Sequence, residues 1–235
     1  MGSVKDDRGY NQGFRPSLTL EIRTERRCEY LIQQMDKQEI ASILEIGCGT
    51  GEMSFLLARK TKMNVLGTDL CLPFIEDAKS KYQLPNLKFR ILDFNCPDLG
   101  DQKFDYIVGN GILHHLYNNL DMALQNIKAL LKENGKIIFL EPNLLNPYCF
   151  LIFNSLPIFR KMANLEPNEM AFTKKFIKSL LNRLGYTEIK VEYRDFLLPN
   201  TPSFLVNSII KLGSLFEKTP ILKYSSQSIF ISAKK

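Results

Sequence analysis

No run of about 20 uninterrupted apolar residues occurs in the 235 residues, so the sequence offers no helix of bilayer-spanning length. The opening Met1-Gly2-Ser3-Val4-Lys5-Asp6-Asp7 lacks the apolar core of a secretion signal. Cysteine is sparse: residues 28, 48, 71, 96 and 149, an odd number with no C-x-x-C spacing. That excludes a disulfide framework and points to reduced thiols in a cytoplasmic protein. Histidine is scarcer still, with only the adjacent His114 and His115. Local spacing therefore assembles no His/Cys cluster, and no metal is expected. A composition of 45% hydrophobic and 24% charged residues excludes a disordered tail or a collagen-like repeat and leaves a globular α/β-sized chain.

Charge is unevenly placed. The net value is +6, yet residues 1–141 hold 18 Lys and Arg against 19 Asp and Glu, whereas 142–235 hold 13 against 6. The cationic excess belongs to the last two fifths, where a solvated basic face and an anionic partner are both open readings.

From Ser42 onward apolar runs alternate with helical patterns. Ser42–Ile46, Asn64–Asp69, Leu87–Leu92, Phe104–Asn110 and Lys136–Glu141 read as buried strands. Glu52–Lys60, a segment from Pro73 to about Tyr82, and Asn119–Leu131 read as the helices between them. Crossovers of this length imply a parallel sheet covered on both faces. Thr173 can cap a further helix ended by Gly185, and Tyr186–Tyr193 and Gln227–Ala233 alternate as two last strands. Ahead of this unit, Gly9, Gly13 and Pro16 read as a loose arm, and Leu18–Met35 as a helix. There Leu20, Cys28, Leu31, Ile32 and Met35 are apolar, and Arg23 and Arg27 fall among the polar residues between them. The expected organisation is an arm and lid helix over residues 1–41 followed by one domain over 42–235. Two segments of that domain, 142–172 and 197–226, are insertions with 17 of 31 and 13 of 30 residues apolar. Loops this apolar must bury against something, so they read as helical caps.

The informative stretch is Leu44-Glu45-Ile46-Gly47-Cys48-Gly49-Thr50-Gly51. A strand, a glycine turn and a helix make a nucleotide-type site at the first βα junction. The spacing discriminates between ligands. A dinucleotide turn wants glycine or alanine where Glu52 stands, and no G-x-x-x-x-G-K-[ST] loop is present. Glu45 is a poor neighbour for pyrophosphate and an acceptable one for a cation.

Glu45-x-Gly47-x-Gly49-x-Gly51 resembles the first motif of the class I S-adenosylmethionine-dependent methyltransferases, and four further features agree in order across residues 42–141. Asp69, with Leu70 beside it, stands where that family places an acid on the ribose hydroxyls. Asp93 and Phe94 stand where an acidic side chain and its neighbour read the adenine edge. Asn110-Gly111-Ile-Leu-His-His-Leu116 follows the fourth strand, as in the small-molecule branch related to quinone and sterol methylation. Leu130-Leu-Lys-Glu-Asn-Gly135 and the strand after it are similar to the family's helix-to-strand junction. The resemblance implies a Rossmann-like seven-stranded, mostly parallel sheet, with S-adenosyl-L-methionine as cofactor. It implies cofactor contacts at Glu45, Gly47, Cys48, Gly49, Gly51, Asp69, Leu70, Asp93, Phe94, Asn110 and Gly111, with Glu45 beneath the methionine portion. Asp69 as a helix cap, Asp93 as a turn former and Glu45 as a structural acid are the competing readings.

Methyl transfer from a sulfonium gains mainly from alignment and exclusion of water, so it needs a base only when the acceptor holds a proton. His115 is the candidate for that role, with His114 second; both also read as helix-start or core histidines. The apolar caps and the basic carboxyl-terminal part suggest a small acceptor with a lipophilic body or an anionic group, and leave peripheral membrane contact open. RNA or protein methylation, and cofactor binding without turnover, are the alternatives. Nucleic acid is disfavoured because acids interrupt the basic residues and no RNA-binding module is appended. The oligomeric state is not legible.

Overall fold

The computed structural model describes residues 16–36, 40–94, 97–154, 157–162, 165 and 169–235. The arm at Gly9 and Gly13 and the thiol of Cys96 lie outside these residues. Seven strands form one sheet: β1 (Ser42–Ile46), β2 (Asn64–Asp69), β3 (Leu87–Ile91), β4 (Phe104–Asn110), β5 (Leu131–Pro142), β6 (Thr187–Arg194) and β7 (Ser228–Lys234). Their spatial order is β3-β2-β1-β4-β5-β7-β6. The first five pair in parallel, and β7 enters antiparallel to both β5 and β6. The helices are α1 (Leu18–Ile32), α2 (Glu52–Thr61), α3 (Leu72–Lys81), α4 (Leu120–Leu130), α5 (Pro147–Asn154), α6 (Pro157–Met162), α7 (Lys174–Arg183) and α8 (Val206–Phe216). This is the Rossmann-like, mostly parallel α/β fold expected from the sequence.

Period-two alternation in the strands builds two cores. Leu44, Ile46, Ile107, Ile137, Phe139 and Ile231 pack with α4 and α7 on one face. Ile43, Val65, Val108, Ile138, Leu140 and Phe230 pack with α1, α2 and α3 on the other. Three strands keep the bounds read from the sequence, and the differences elsewhere have local causes. The helix α1 stops at Ile32, with Gln33 as its cap, short of Met35. A 3-10 turn over Leu113–Asn119 precedes α4. Strand β5 begins at Leu131 rather than Lys136, because Asn134 takes a left-handed turn (φ 63°) inside a register shift against β4. Thr173 does cap α7, its Oγ1 accepting from the Phe176 N–H at 3.2 Å. In the two cap segments the chain forms α5, α6 and α8.

Arg23 and Arg27, read from the sequence only as polar residues between the apolar ones of α1, are both buried. With Thr19 they recur every fourth residue, so they share one face of α1 and turn it onto the carboxyl edge of the sheet. There Arg27 Nε donates to Asp195 Oδ2 at 2.8 Å, and its other nitrogens donate to Asn110 Oδ1 at 2.7 Å and Ser228 Oγ at 2.6 Å. Arg23 donates to the Leu197 carbonyl at 2.9 Å and to Gln227 Oε1 at 2.7 Å. Two guanidiniums thus face one carboxylate.

Candidate functional site

Strand β1 ends in the glycine turn and α2 begins at Glu52. Gly47 (φ 66°) could not be another residue without driving a Cβ into the Ile112 side chain, 2.5 Å away. Gly49 (φ 52°) meets nothing within 4 Å of a built Cβ, so here the missing side chain leaves open space for a ligand to approach the backbone. Gly51, also left-handed, is the residue before α2.

A cavity of about 770 Å³ lies over this turn, enough for a nucleoside-sized ligand. Its floor includes Glu45, Gly47, Cys48, Gly49 and Thr50, and Asn110 of β4 joins from the side. Helix α1 closes it with Leu20, Glu21 and Thr24, and α2 with Met53, Phe55 and Arg59. Phe55 stacks on Tyr82 with ring centroids 4.6 Å apart, giving the wall an apolar shelf that no motif marked.

Asp69 stands one hydrogen bond behind the floor. Its Oδ2 accepts from the Gly49 N–H at 2.9 Å and its Oδ1 from the Cys71 N–H at 2.9 Å. The carboxylate therefore holds the turn in place and keeps further lone pairs for a diol. Leu70 follows it, half-buried. Asp93 is exposed just beyond β3, and the Leu92 N–H before it donates to the Asp69 carbonyl at 3.0 Å. The Phe94 side chain packs into the core and its carbonyl accepts from Asn126 at 2.9 Å, so any contact with a base runs through its backbone N–H. Gly111 turns the chain out of β4, its N–H donating to Leu140 O at 2.7 Å. Asp69, Leu70, Asp93, Phe94, Gly111 and both histidines are not part of the cavity wall.

Glu45 is a buried acid of the site. Its position on β1 turns it toward α2, where the Ser54 hydroxyl donates to it. Gly67 stands opposite it in the sheet and leaves room for Ser54. Burial pushes the Glu45 carboxyl up to about 8, against the opposing pull of Ser54. Between pH 4.5 and about 8 the folded chain keeps a proton that the unfolded chain has lost, so in this window the ligand-free protein becomes less stable as pH rises. A cationic ligand reverses the preference and expels the proton. Calorimetry of S-adenosyl-L-methionine binding at pH 7, in two buffers of different ionisation enthalpy, is expected to show release of about one proton. Glu45→Gln abolishes the release; wild-type binding with no proton released would remove Glu45 from the ligand's surroundings. The neighbouring Cys48 thiol is pushed well above its ordinary range by burial and then by Glu45, so it stays neutral and acts as a small wall.

The histidines are set by partners distant in sequence. Glu141, buried at the end of β5, accepts from the Ile112 and Leu113 N–H groups at 3.0 and 2.8 Å and contacts His114 Nδ1 at 2.8 Å. A carboxylate already accepting backbone bonds calls for Nδ1–H on His114, which places the basic lone pair on Nε2. His115 lies 3.1 Å from Glu169 through its Nδ1. Phe153 of α5 meets the His114 ring edge-on at 6.0 Å, so the 142–172 segment packs against this histidine. Folding also gathers His114, His115 and Glu169 with donor atoms within 4.8 Å of one another, a grouping that local spacing could not reveal.

Residues 44–137 match the family model described as methyltransferase domain. Over these residues the chain carries a methyltransferase domain. This methyltransferase domain is 30% identical over 137 residues to the protein named probable polyketide synthase 42 of Dictyostelium discoideum, a match covering 49% of this chain and 5% of that one. It is 28% identical over 106 residues to the malonyl-(acyl-carrier protein) O-methyltransferase of Acetivibrio thermocellus, covering 45% and 37%. The chain thus spans a small part to about a third of these curated relatives. The solved phosphoethanolamine N-methyltransferase 2 of Haemonchus contortus, in complex with S-adenosyl-L-methionine, superposes with a TM-score of 0.63 over 89% of this chain and 52% of that one; at 16% identity the likeness is one of fold. The cofactor of the methyltransferase domain is S-adenosyl-L-methionine, and the donor set fits it. An open glycine floor, a desolvated carboxylate and a turn-bound aspartate suit a cationic adenosyl compound.

Proposed function

We propose that the protein transfers the methyl group of S-adenosyl-L-methionine to a small apolar or amphiphilic acceptor held between the 142–172 cap and the histidine pair, working in the cytoplasm. The observation that carries this reading is Phe153 lying against His114 while Asn110, at the end of β4, reaches the cavity wall. The relative malonyl-(acyl-carrier protein) O-methyltransferase, which acts on an acyl group, supports it. When bound, the cofactor supplies an electrophilic methyl on sulfur and leaves as a neutral thioether. Glu45 offsets the positive charge of the methionine end, Asp69 accepts from the ribose hydroxyls, Asp93 and the Phe94 backbone read the adenine edge, and α1 with the caps excludes water. Where the acceptor is a hydroxyl, its proton goes to His115 Nε2, with Glu169 orienting the ring.

Purified protein offered labelled donor and a graded panel of acceptors is expected to methylate lipophilic alcohols, phenols or acids in preference to polar metabolites. Turnover of polar metabolites alone would overturn the acceptor class. With a hydroxyl acceptor, His115→Ala lowers kcat by about 10²–10⁴ and leaves donor affinity unchanged. An unaltered kcat would strip His115 of its role.

A further inference from the structure

Helix α8 keeps little of itself inside the fold. Among its residues only Val206 and Gly213 are buried, Gly213 close against Phe196. Leu212 and Leu215, which share one helical face, are 52% and 60% exposed. The exposed apolar surface continues on either side, through Phe204 before the helix and Ile221 after it, at 79% and 80%.

The charge on this surface has one sign. Glu217, the acid of the 197–226 segment, is turned inward, accepting from the Asp195 N–H at 2.9 Å and from Arg194 at 3.0 Å. Lys211 and Lys218 remain exposed. On α7, burial, then repulsion from Lys178 and Lys223, lowers the Lys174 pKa against the pull of Glu192. This basic cluster is one that an anionic neighbour would relieve.

The face also has a defined place. Residues 222–225 form a 3-10 turn leading into β7, whose first residue, Ser228, pairs with Pro142 at the end of β5. Asn146, just before α5, donates to the Ser225 carbonyl at 2.5 Å. The face therefore shares the carboxyl edge of the sheet with Asn110 and the glycine turn. Short apolar elements interleaved with lysines are the pattern of an interfacial, lipid-facing surface.

We propose that α8 and the 221–224 turn rest on an anionic lipid bilayer, with Phe204, Leu212, Leu215 and Ile221 entering the headgroup boundary and the lysines on lipid phosphates and carboxylates. Among the described residues no helix is long and apolar enough to cross a membrane; this contact is peripheral. It does not depend on which acceptor is methylated.

Flotation of the full chain with vesicles tests it, without donor or acceptor. Binding to phosphatidylcholine vesicles containing phosphatidylserine is expected to exceed binding to phosphatidylcholine alone and to weaken with salt. Leu215→Ser should weaken it about tenfold, and Gln at Lys211, Lys218 and Lys223 together about a hundredfold. Both variants should keep the wild-type melting temperature and cofactor affinity, since the altered side chains lie outside both cores. Equal binding to both vesicle types, or variants that float like wild type, would overturn the proposal. So would self-association in sedimentation that Leu215→Ser abolishes without any vesicle binding, which would make the face a contact between copies of this chain.

Discussion

Asp195→Asn is expected to lower the stability of the protein by about 3–5 kcal/mol, a fall in melting temperature of about 10 °C for a chain of this size. Asparagine preserves the shape of the side chain and tolerates the left-handed backbone at this position (φ 67°), so the loss reports on charge. Burial pushes the Asp195 carboxyl upward, yet Arg27 and then Arg23 outweigh it and hold it below the usual carboxylate range. Arg23 in turn is lowered to about 9, by burial and then by Arg27, against the pull of Asp195. The cluster is already one cation in excess. Removing its carboxylate leaves two buried guanidiniums facing each other, whereas Arg27→Met leaves Arg23 with Asp195, 3.5 Å apart, a balanced pair. Arg27→Met should therefore be the milder change, and urea unfolding of both variants decides. If Arg27→Met proves worse, or Asp195→Asn costs less than about 1 kcal/mol, charge balance is not what secures α1.

Asp69→Ala is expected to weaken S-adenosyl-L-methionine binding by about 2–3 kcal/mol, roughly a hundredfold. The geometry complicates the reading, because the same carboxylate pins Gly49 and Cys71. A loss of affinity could come from the loosened turn alone. A cycle with the 2′-deoxy cofactor product separates the two. If Asp69 holds the ribose, the deoxy compound binds wild type more weakly and Asp69→Ala no differently from the parent ligand. Equal penalties in both proteins would confine Asp69 to shaping the turn.

The strands β1, β2 and β4 were legible because each is a near-continuous apolar run closed by a polar or glycine residue, a signal carried by neighbours in sequence. The glycine turn was legible for the same reason. The burial of Arg23 and Arg27 was not legible, because an arginine on an amphipathic helix normally marks its wet side. Their true partners, Asp195, Gln227 and Asn110, lie 83 to 204 residues away. Glu141 and Glu169 gave no local sign of serving the histidines, although Glu141 closes a strand whose carboxyl edge faces the site. Phe55 on α2 and Tyr82 after α3 carry no mark of a site in the sequence; only their meeting makes a shelf.

The reversed strand β7 fills a slot whose walls, β5 and β6, come earlier in the chain. Until it is seated, both walls present rows of open amide and carbonyl groups, the kind of template that recruits another polypeptide. Closing the slot joins segments about a hundred residues apart, a slow event in folding. Refolding losses from denaturant should consequently grow with protein concentration, and a peptide copying Ser228–Lys234 should compete for the vacancy.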